Sequence, residues 1–285
     1  MILKPESESP FLKTYHSKYI SIAMIKKIRK GLKAISLLVA KPSLLNLLFE
    51  DNEYWKNHIE KKQKTYTQLK EVTFSELFTD FNITISPVTF LDGGSMVTDL
   101  ALLKGLAAKI NNCAYFEIGT WRGESVANVS PVCTECYTMD LPDEEKKKLG
   151  KTDDYILQHA MLSKQLKNVI HLKDNSLKFD FASLNKKFDL IFIDGDHHYE
   201  SVLSDTVNVF KHLIHDKSIV VWHDYAYNPG AVRNETYAAI LDALDDSLHS
   251  GLYYVANTMC AVYYPFPDFK KKQEAGLFEV NLRLL

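Results

Sequence analysis

Cysteine is scarce in this chain. Four residues in 285, Cys113, Cys133, Cys136 and Cys260, do not make a disulfide-built fold. Charge of one sign is also lacking: 34 Lys and Arg stand against 36 Asp and Glu, so no global field attracts nucleic acid, and none is expected as a partner. Long apolar runs are missing, and none approaches the roughly 18 residues of a membrane span. At the N-terminus, Pro5, Glu6 and Glu8 stand where a secretory leader needs a basic start and an apolar stretch, so a cytoplasmic location is expected. Internal repeats and low-complexity tracts are absent too. What remains, 46% hydrophobic and 25% charged residues, is the profile of a soluble globular protein. The length suits one α/β domain plus an added segment.

Two regions differ in pattern. Residues 1–85 read as a helical, charged extension, and residues 86–285 as the main domain. In the extension, Ile22, Ile25, Ile28, Leu32 and Ile35 form one apolar stripe at helical spacing. Lys26, Lys27, Arg29, Lys30 and Lys33 occupy the rest of that surface. Pro42-Ser43 opens a second pattern through Leu44, Leu45, Leu47, Leu48, Trp55 and Ile59. A basic amphipathic helix can lie on an anionic membrane. The reading favours instead a stripe buried on the protein's own sheet domain or across a homodimer, because exposed apolar stripes are costly.

From residue 86 short apolar runs alternate with helical stretches. A helix is expected over 98–110. The runs Tyr115–Ile118, Cys136–Met139, Val169–Leu172, Leu190–Ile193 and Ser218–Trp222 follow, separated by helices from about Ser125, between Asp143 and Leu166, and over 199–213. Another helix over 231–244 precedes a closing hairpin, Leu252–Val255 with Met259–Tyr264, around Asn257-Thr258. Buried strands of four or five residues alternating with helices predict a doubly wound α/β fold with a seven-stranded, mostly parallel sheet ending in an antiparallel hairpin.

In such a sheet ligands bind beyond the carboxyl ends of the strands. The first main strand runs into Glu117-Ile-Gly119-Thr120-Trp121-Arg122-Gly123. Glycines in that turn permit close backbone approach and conformations closed to other residues. The spacing is not the dinucleotide fingerprint Gly-x-Gly-x-x-Gly. Asp140 follows 23 positions after Glu117, directly after the second run, where a carboxylate can accept both ribose hydroxyls of a nucleoside.

The densest site is Asp194-Gly-Asp196-His197-His198-Tyr199 after the fourth run, with Trp222-His223-Asp224-Tyr225 after the fifth. Neighbouring strands would bring Asp194, His223 and Asp224 to one edge. Oxygen and imidazole ligands converging there suit Mg²⁺ or Mn²⁺. Adjacent His197 and His198 cannot both face one way, and the general-base candidates are Asp196 and His198.

The strand ending in Glu117-x-Gly119-x-x-x-Gly123 resembles the first motif of class I S-adenosylmethionine-dependent methyltransferases, with Trp121 where many members carry a glycine. Ile193-Asp-Gly-Asp-His-x-Tyr-Glu200 with the later His223-Asp-Tyr225 resembles the methyltransferase 24 branch, and also metal-dependent O-methyltransferases of natural-product sugars. The resemblance covers about residues 90–265. It implies S-adenosylmethionine as cofactor, with Glu117, Gly119, Thr120, Gly123, Asp140 and Asp194 around it. Asn175 and Ser176 would stand at the adenine, Asn175 where an Asp is usual. Asp194 and Asp224 match acidic metal positions, with His223 beside them. The expected reaction is O-methylation of a small-molecule or sugar hydroxyl. A divalent cation would lower the hydroxyl's pKa, and Asp196 or His198 would take the proton. A metal-free site in which Asp194 touches the cofactor stays open.

Cys133-Thr-Glu-Cys136 has metal-pair spacing but no second pair, so packing thiols are expected. Asp92-Gly93-Gly94-Ser95 reads as a loop over the cofactor or a plain helix-capping turn, and Tyr225 and Tyr227 as acceptor-pocket candidates. One rival function is a non-catalytic cofactor-binding scaffold. Clustered carboxylates that repel one another argue against it. The other is a nicotinamide oxidoreductase, which the glycine spacing and the hairpin disfavour.

Overall fold

The computed structural model describes residues 10–40, 52–91, 93–267 and 269, with side chains of the first helix from Met24 onward. In chain order the elements are α1 (Pro10–Ala40), α2 (Asn52–Gln63), β1 (Lys70–Val72), α3 (Phe74–Leu77), α4 (Val97–Ala108), β2 (Ala114–Ile118), α5 (Glu124–Val129) and β3 (Glu135–Asp140). Then come α6 (Asp143–Lys148), α7 (Asp153–Gln158), β4 (Val169–Lys173), β5 (Leu190–Ile193), α8 (Tyr199–Asn208) and β6 (Ile219–Trp222). Strands β7 (Ala226–Asn228) and β8 (Ala231–Val232), helix α9 (Asn234–Ala243), and strands β9 (Leu252–Val255) and β10 (Ala261–Tyr263) complete the series.

The chain forms two compact units, residues 1–51 and 52–285. In the first, α1 is a single helix of 31 residues. Its stripe from Ile25 to Ile35 is exposed within this unit. The second run of leucines, 44–48, lies outside the described residues. No described helix is long and apolar enough to cross a membrane.

In the larger unit eight strands form one sheet in the order β1-β9-β10-β6-β5-β2-β3-β4. All neighbours are parallel except β10, which runs antiparallel to both β6 and β9. Strands β2, β5 and β6 are buried at every position, as a sheet covered on both faces requires. Side chains alternate between its faces. Phe116, Ile191, Ile193, Val220 and Trp222 share one core with Ile59, Val202 and Ile240. Tyr115, Leu190, Phe192 and Val221 share the other with Leu102, Leu106, Val126 and Val129.

Two expectations about the extension need correction. The eighth strand, β1, pairs in parallel with β9, so residues 70–72 belong to the sheet. Helix α2 also packs in this unit: it buries Ile59, stacks Trp55 on Tyr199 at 4.5 Å, and sets Lys62 on Asp242 at 2.6 Å. The larger unit therefore begins at Asn52, and the boundary read at 85/86 followed charge composition, not packing. The stretch predicted as helix between Asp143 and Leu166 is two six-residue helices separated by Gly150, which has φ +81°.

The chain leaves β2, β3 and β4 on one side of the sheet and then places β5 and β6 on the other side of β2. The switch point thus falls between β2 and β5, and the loops after Ile118 and Ile193 meet there.

Candidate active site: two cavities joined at Asp194

The loop after β2 is locked against the loop after β5. The Gly119 N–H donates to the Met139 carbonyl at 2.8 Å, and the Asp194 N–H to the Ile118 carbonyl at 2.8 Å. Gly119 has φ +106°, and a Cβ there would lie 1.8 Å from the Asp194 carbonyl oxygen. The glycine is required by this strand-to-strand contact and by its positive φ. Gly123, at φ +76°, caps α5 against Ser163.

A cavity of about 470 Å³ opens beyond the carboxyl ends of β2, β3, β4 and β5. Asp140, Asn175, Ser176, Asp194, Asp196 and Asp205 supply its polar lining, and Ile118, Met139 and Leu177 are among its apolar walls. A second cavity of about 460 Å³ is lined by Gly93, Gly94, Ser95, His223, Asp224 and Met259. The two share Trp121, Lys151, Tyr155, Asp194 and Gly195. Two non-glycine residues here hold left-handed backbone, Trp121 at the junction at φ +42° and Asp224 on the second cavity at φ +55°. Such strain persists where surrounding structure over-determines it, and it clusters at functional sites.

Asp140 lines the first cavity, and its carboxylate is held from four directions. It accepts from the Leu141 N–H at 2.7 Å, the Trp121 N–H at 3.1 Å and His159 Nε2 at 3.0 Å, and Lys146 Nζ lies 3.4 Å away. Burial would raise its pKa, but the His159 hydrogen bond and the Lys146 charge hold it below the usual carboxylate value. Asp205 is almost fully buried, and burial pushes it up to about 7 against a hydrogen bond from Ser176.

The second cavity holds the most concentrated ionisable group in the unit. His223 Nε2 meets Asp99 Oδ2 at 3.2 Å, and its Nδ1 lies 2.9 Å from Asp194 Oδ1 and 3.5 Å from Asp224 Oδ2. That Nδ1 is buried, and neither carboxylate meets it in hydrogen-bonding geometry. One ligand atom each from Asp194, His223 and Asp224 lie within 4.8 Å of one another. Asp99 is fully buried on α4 and is fixed by the N–H groups of Met96 at 2.8 Å and Met259 at 2.9 Å. Burial raises Asp194 above its ordinary pKa against the pull of His223. Asp224 stays low despite burial, because His223 and Arg233 stabilise its charge.

The structure thus brings Asp194, His223 and Asp224 together and sets Gly119, Asp140, Asn175 and Ser176 around the first cavity. It corrects other expectations. Glu117 does not reach the cavity: it is fully buried under the loop, accepting from the hydroxyls of Tyr115, Ser125 and Thr138 at 2.7–2.8 Å. Thr120 bonds to Thr138 behind the loop, and neither it nor Gly123 lines the cavity. The side-chain Oδ1 of Asn175 already accepts from the Leu177 N–H at 3.0 Å. His198 lines neither cavity; it pairs with Asp196 at the surface, and Asp196 lines only the first. Tyr225 is fully buried among Tyr237 and Tyr254 and lines neither cavity. The loop at Gly93-Gly94-Ser95 borders the second cavity, and Asp92 lies outside the described residues. Cys133 and Cys136 are free, buried and packed with Cys113.

Asp99 and Asp205 were missed as site residues. The one sequence trace of Asp99 is an acid near the start of a mostly apolar helix, Val97–Ala108, whose other polar residues are Thr98 and Lys104.

Residues 116–225 match the model of a family described as a methyltransferase domain, methyltransferase 24. No curated protein sequence matches the chain. Among solved structures the chain is similar to the SAM-bound amino pentose methyltransferase CalS10 of Micromonospora echinaspora (14% identity, covering 46% of this chain and 51% of that one, TM-score 0.34). It is also similar to a candidate O-methyltransferase from Klebsiella pneumoniae (13% identity, 61% and 82%, TM-score 0.44). A third is the SAH-bound methyltransferase PaMTH1 of Podospora anserina (16% identity, 61% and 80%, TM-score 0.42). The chain spans about half the length of the Micromonospora enzyme.

Proposed function

We propose that this protein methylates a hydroxyl oxygen of a small-molecule or sugar acceptor, using S-adenosylmethionine in the first cavity and a divalent cation at Asp194, His223 and Asp224. The observation that carries the reading is the meeting of two cavities at Asp194, with the three-ligand cluster on the side away from Asp140. S-adenosylmethionine supplies an electrophilic methyl group on a sulfonium sulfur. Asp140, kept ionised by Lys146 and His159, is the acceptor for sugar hydroxyls. The apolar walls at Ile118, Met139 and Leu177 suit a flat base. Near the junction, Asp194 offers carboxylate oxygens to a cationic centre.

The chemistry of the cluster fits a cation. Asp99 takes the Nε2–H of His223 and leaves the buried Nδ1 lone pair facing Asp194 and Asp224. A metal-binding imidazole usually has such a carboxylate partner, which fixes its tautomer. A cation there would lower the pKa of a bound hydroxyl. Asp194 and Asp224 are the carboxylates that border the second cavity and are placed to receive the proton, a role that His198, outside both cavities, does not fit.

A metal-free version is favoured by one observation. Burial opposes protonation of His223, yet Asp194, Asp224 and Asp99 together raise its pKa well above the ordinary value. An imidazolium would then neutralise the cluster. Calorimetry with S-adenosylhomocysteine and spin-resonance titration with Mn²⁺ test both versions. Binding of both, with Asp224→Asn losing Mn²⁺ but keeping S-adenosylhomocysteine, supports the proposal. Cofactor binding without Mn²⁺ binding supports the imidazolium version. No S-adenosylhomocysteine binding overturns both.

A further inference from the structure

Helix α1 carries seven Lys or Arg residues and no Asp or Glu in its 31 residues. Five of these, Lys26, Lys27, Arg29, Lys30 and Lys33, fall between Met24 and Ala40, where side chains are described. At 100° per residue they cluster on one face. Ile25, Ile28, Leu32, Ile35 and Val39 line the opposite face and are 49–77% exposed. Among the described residues of its own unit, nothing covers this stripe.

We propose that α1 docks on an anionic lipid surface, lying in its plane with the Ile25–Val39 stripe in the boundary of the acyl chains and the basic face toward the headgroups. Charge complementarity favours this occupant. An all-cationic polar face opposite an apolar stripe is the pattern of an interfacial helix. Each Lys or Arg near an anionic bilayer contributes attraction that falls off within a Debye length. A second copy of the helix fits less well. The apolar seam extends only about two heptads, short for a free coiled coil. One heptad earlier its positions are Lys18 and Ser21, and Pro42 follows it in sequence. With no acid anywhere on the helix, a paired copy would have no opposite charge to meet.

The test is flotation of the full chain with vesicles of phosphatidylcholine alone and with about 30 mol% phosphatidylglycerol added, alongside light scattering. Binding to the anionic vesicles at least tenfold tighter than to the neutral ones, and lost at high salt, is expected. Lys26→Glu with Lys30→Glu changes the charge by four and should lower partitioning at least about a hundredfold. Leu32→Asp should also abolish binding, and because these side chains are exposed the melting temperature should not move. Equal binding to both vesicle types, or none, overturns the proposal. So does a wild-type dimer that Leu32→Asp disperses without any vesicle binding, which would assign the stripe to a second copy.

Discussion

Replacing Glu117 by Gln removes a buried ionisation while keeping the side chain's volume. Glu117 is fully buried with three hydroxyl donors and no cation in contact, and burial pushes it up from 4.5 to about 7. Between those values the folded state holds a proton that the unfolded chain has released. Stability therefore falls as pH rises from about 4.5 to 7 and levels off above. The gap of about 2.5 pH units, at 1.36 kcal/mol each, corresponds to roughly 3 kcal/mol. Urea unfolding of wild type and Glu117→Gln at pH 5 and pH 8 isolates this contribution, since other titrating groups are common to both. The variant should gain on the wild type by roughly 2–3 kcal/mol between the two pH values. S-adenosylhomocysteine affinity should stay within about threefold, because Glu117 lies behind the loop and not on the cavity. A stability difference that does not change with pH would refute the buried-acid reasoning. Selective loss of cofactor affinity in a folded variant would return Glu117 to the binding site.

Gly119→Ala places a Cβ against the Asp194 carbonyl at positive φ, and should cost roughly 3 kcal/mol or more; an unchanged melting temperature would contradict the loop geometry. Asp140→Ala removes the carboxylate offered to sugar hydroxyls, and calorimetry should show at least about a tenfold loss of S-adenosylhomocysteine affinity, at about 1.5–3 kcal/mol per charge-assisted hydrogen bond. Asp99→Asn leaves the three proposed ligands in place but weakens their support. It should lower Mn²⁺ affinity about 10–100-fold and spare S-adenosylhomocysteine binding; equal loss of both would mean that Asp99 simply holds the fold.

Much of the larger unit was legible in the sequence because its rules are local. Runs such as Leu190–Ile193 and Ile219–Trp222 are fully buried strands, and their length and β-branched content showed it. The loop Glu117–Gly123, the acid at Asp140 and the pair of strand ends at Asp194 and His223-Asp224 also follow from order and spacing. Only tertiary structure decided the rest. Whether Lys70–Val72 was extension or sheet depended on a partner 183 residues away in register, Tyr253–Val255. The role of Gly119 depended on a carbonyl in another loop, and that of Glu117 on which side of the loop its carboxylate was buried. Asp99 became part of the site because α4 carries it to His223 across 124 positions of sequence. Local spacing records the period of a strand or helix, but the burial and electrostatics of a side chain are set by whatever the chain folds against it. That is why the element pattern could be read in advance, while the cradle around His223 could not.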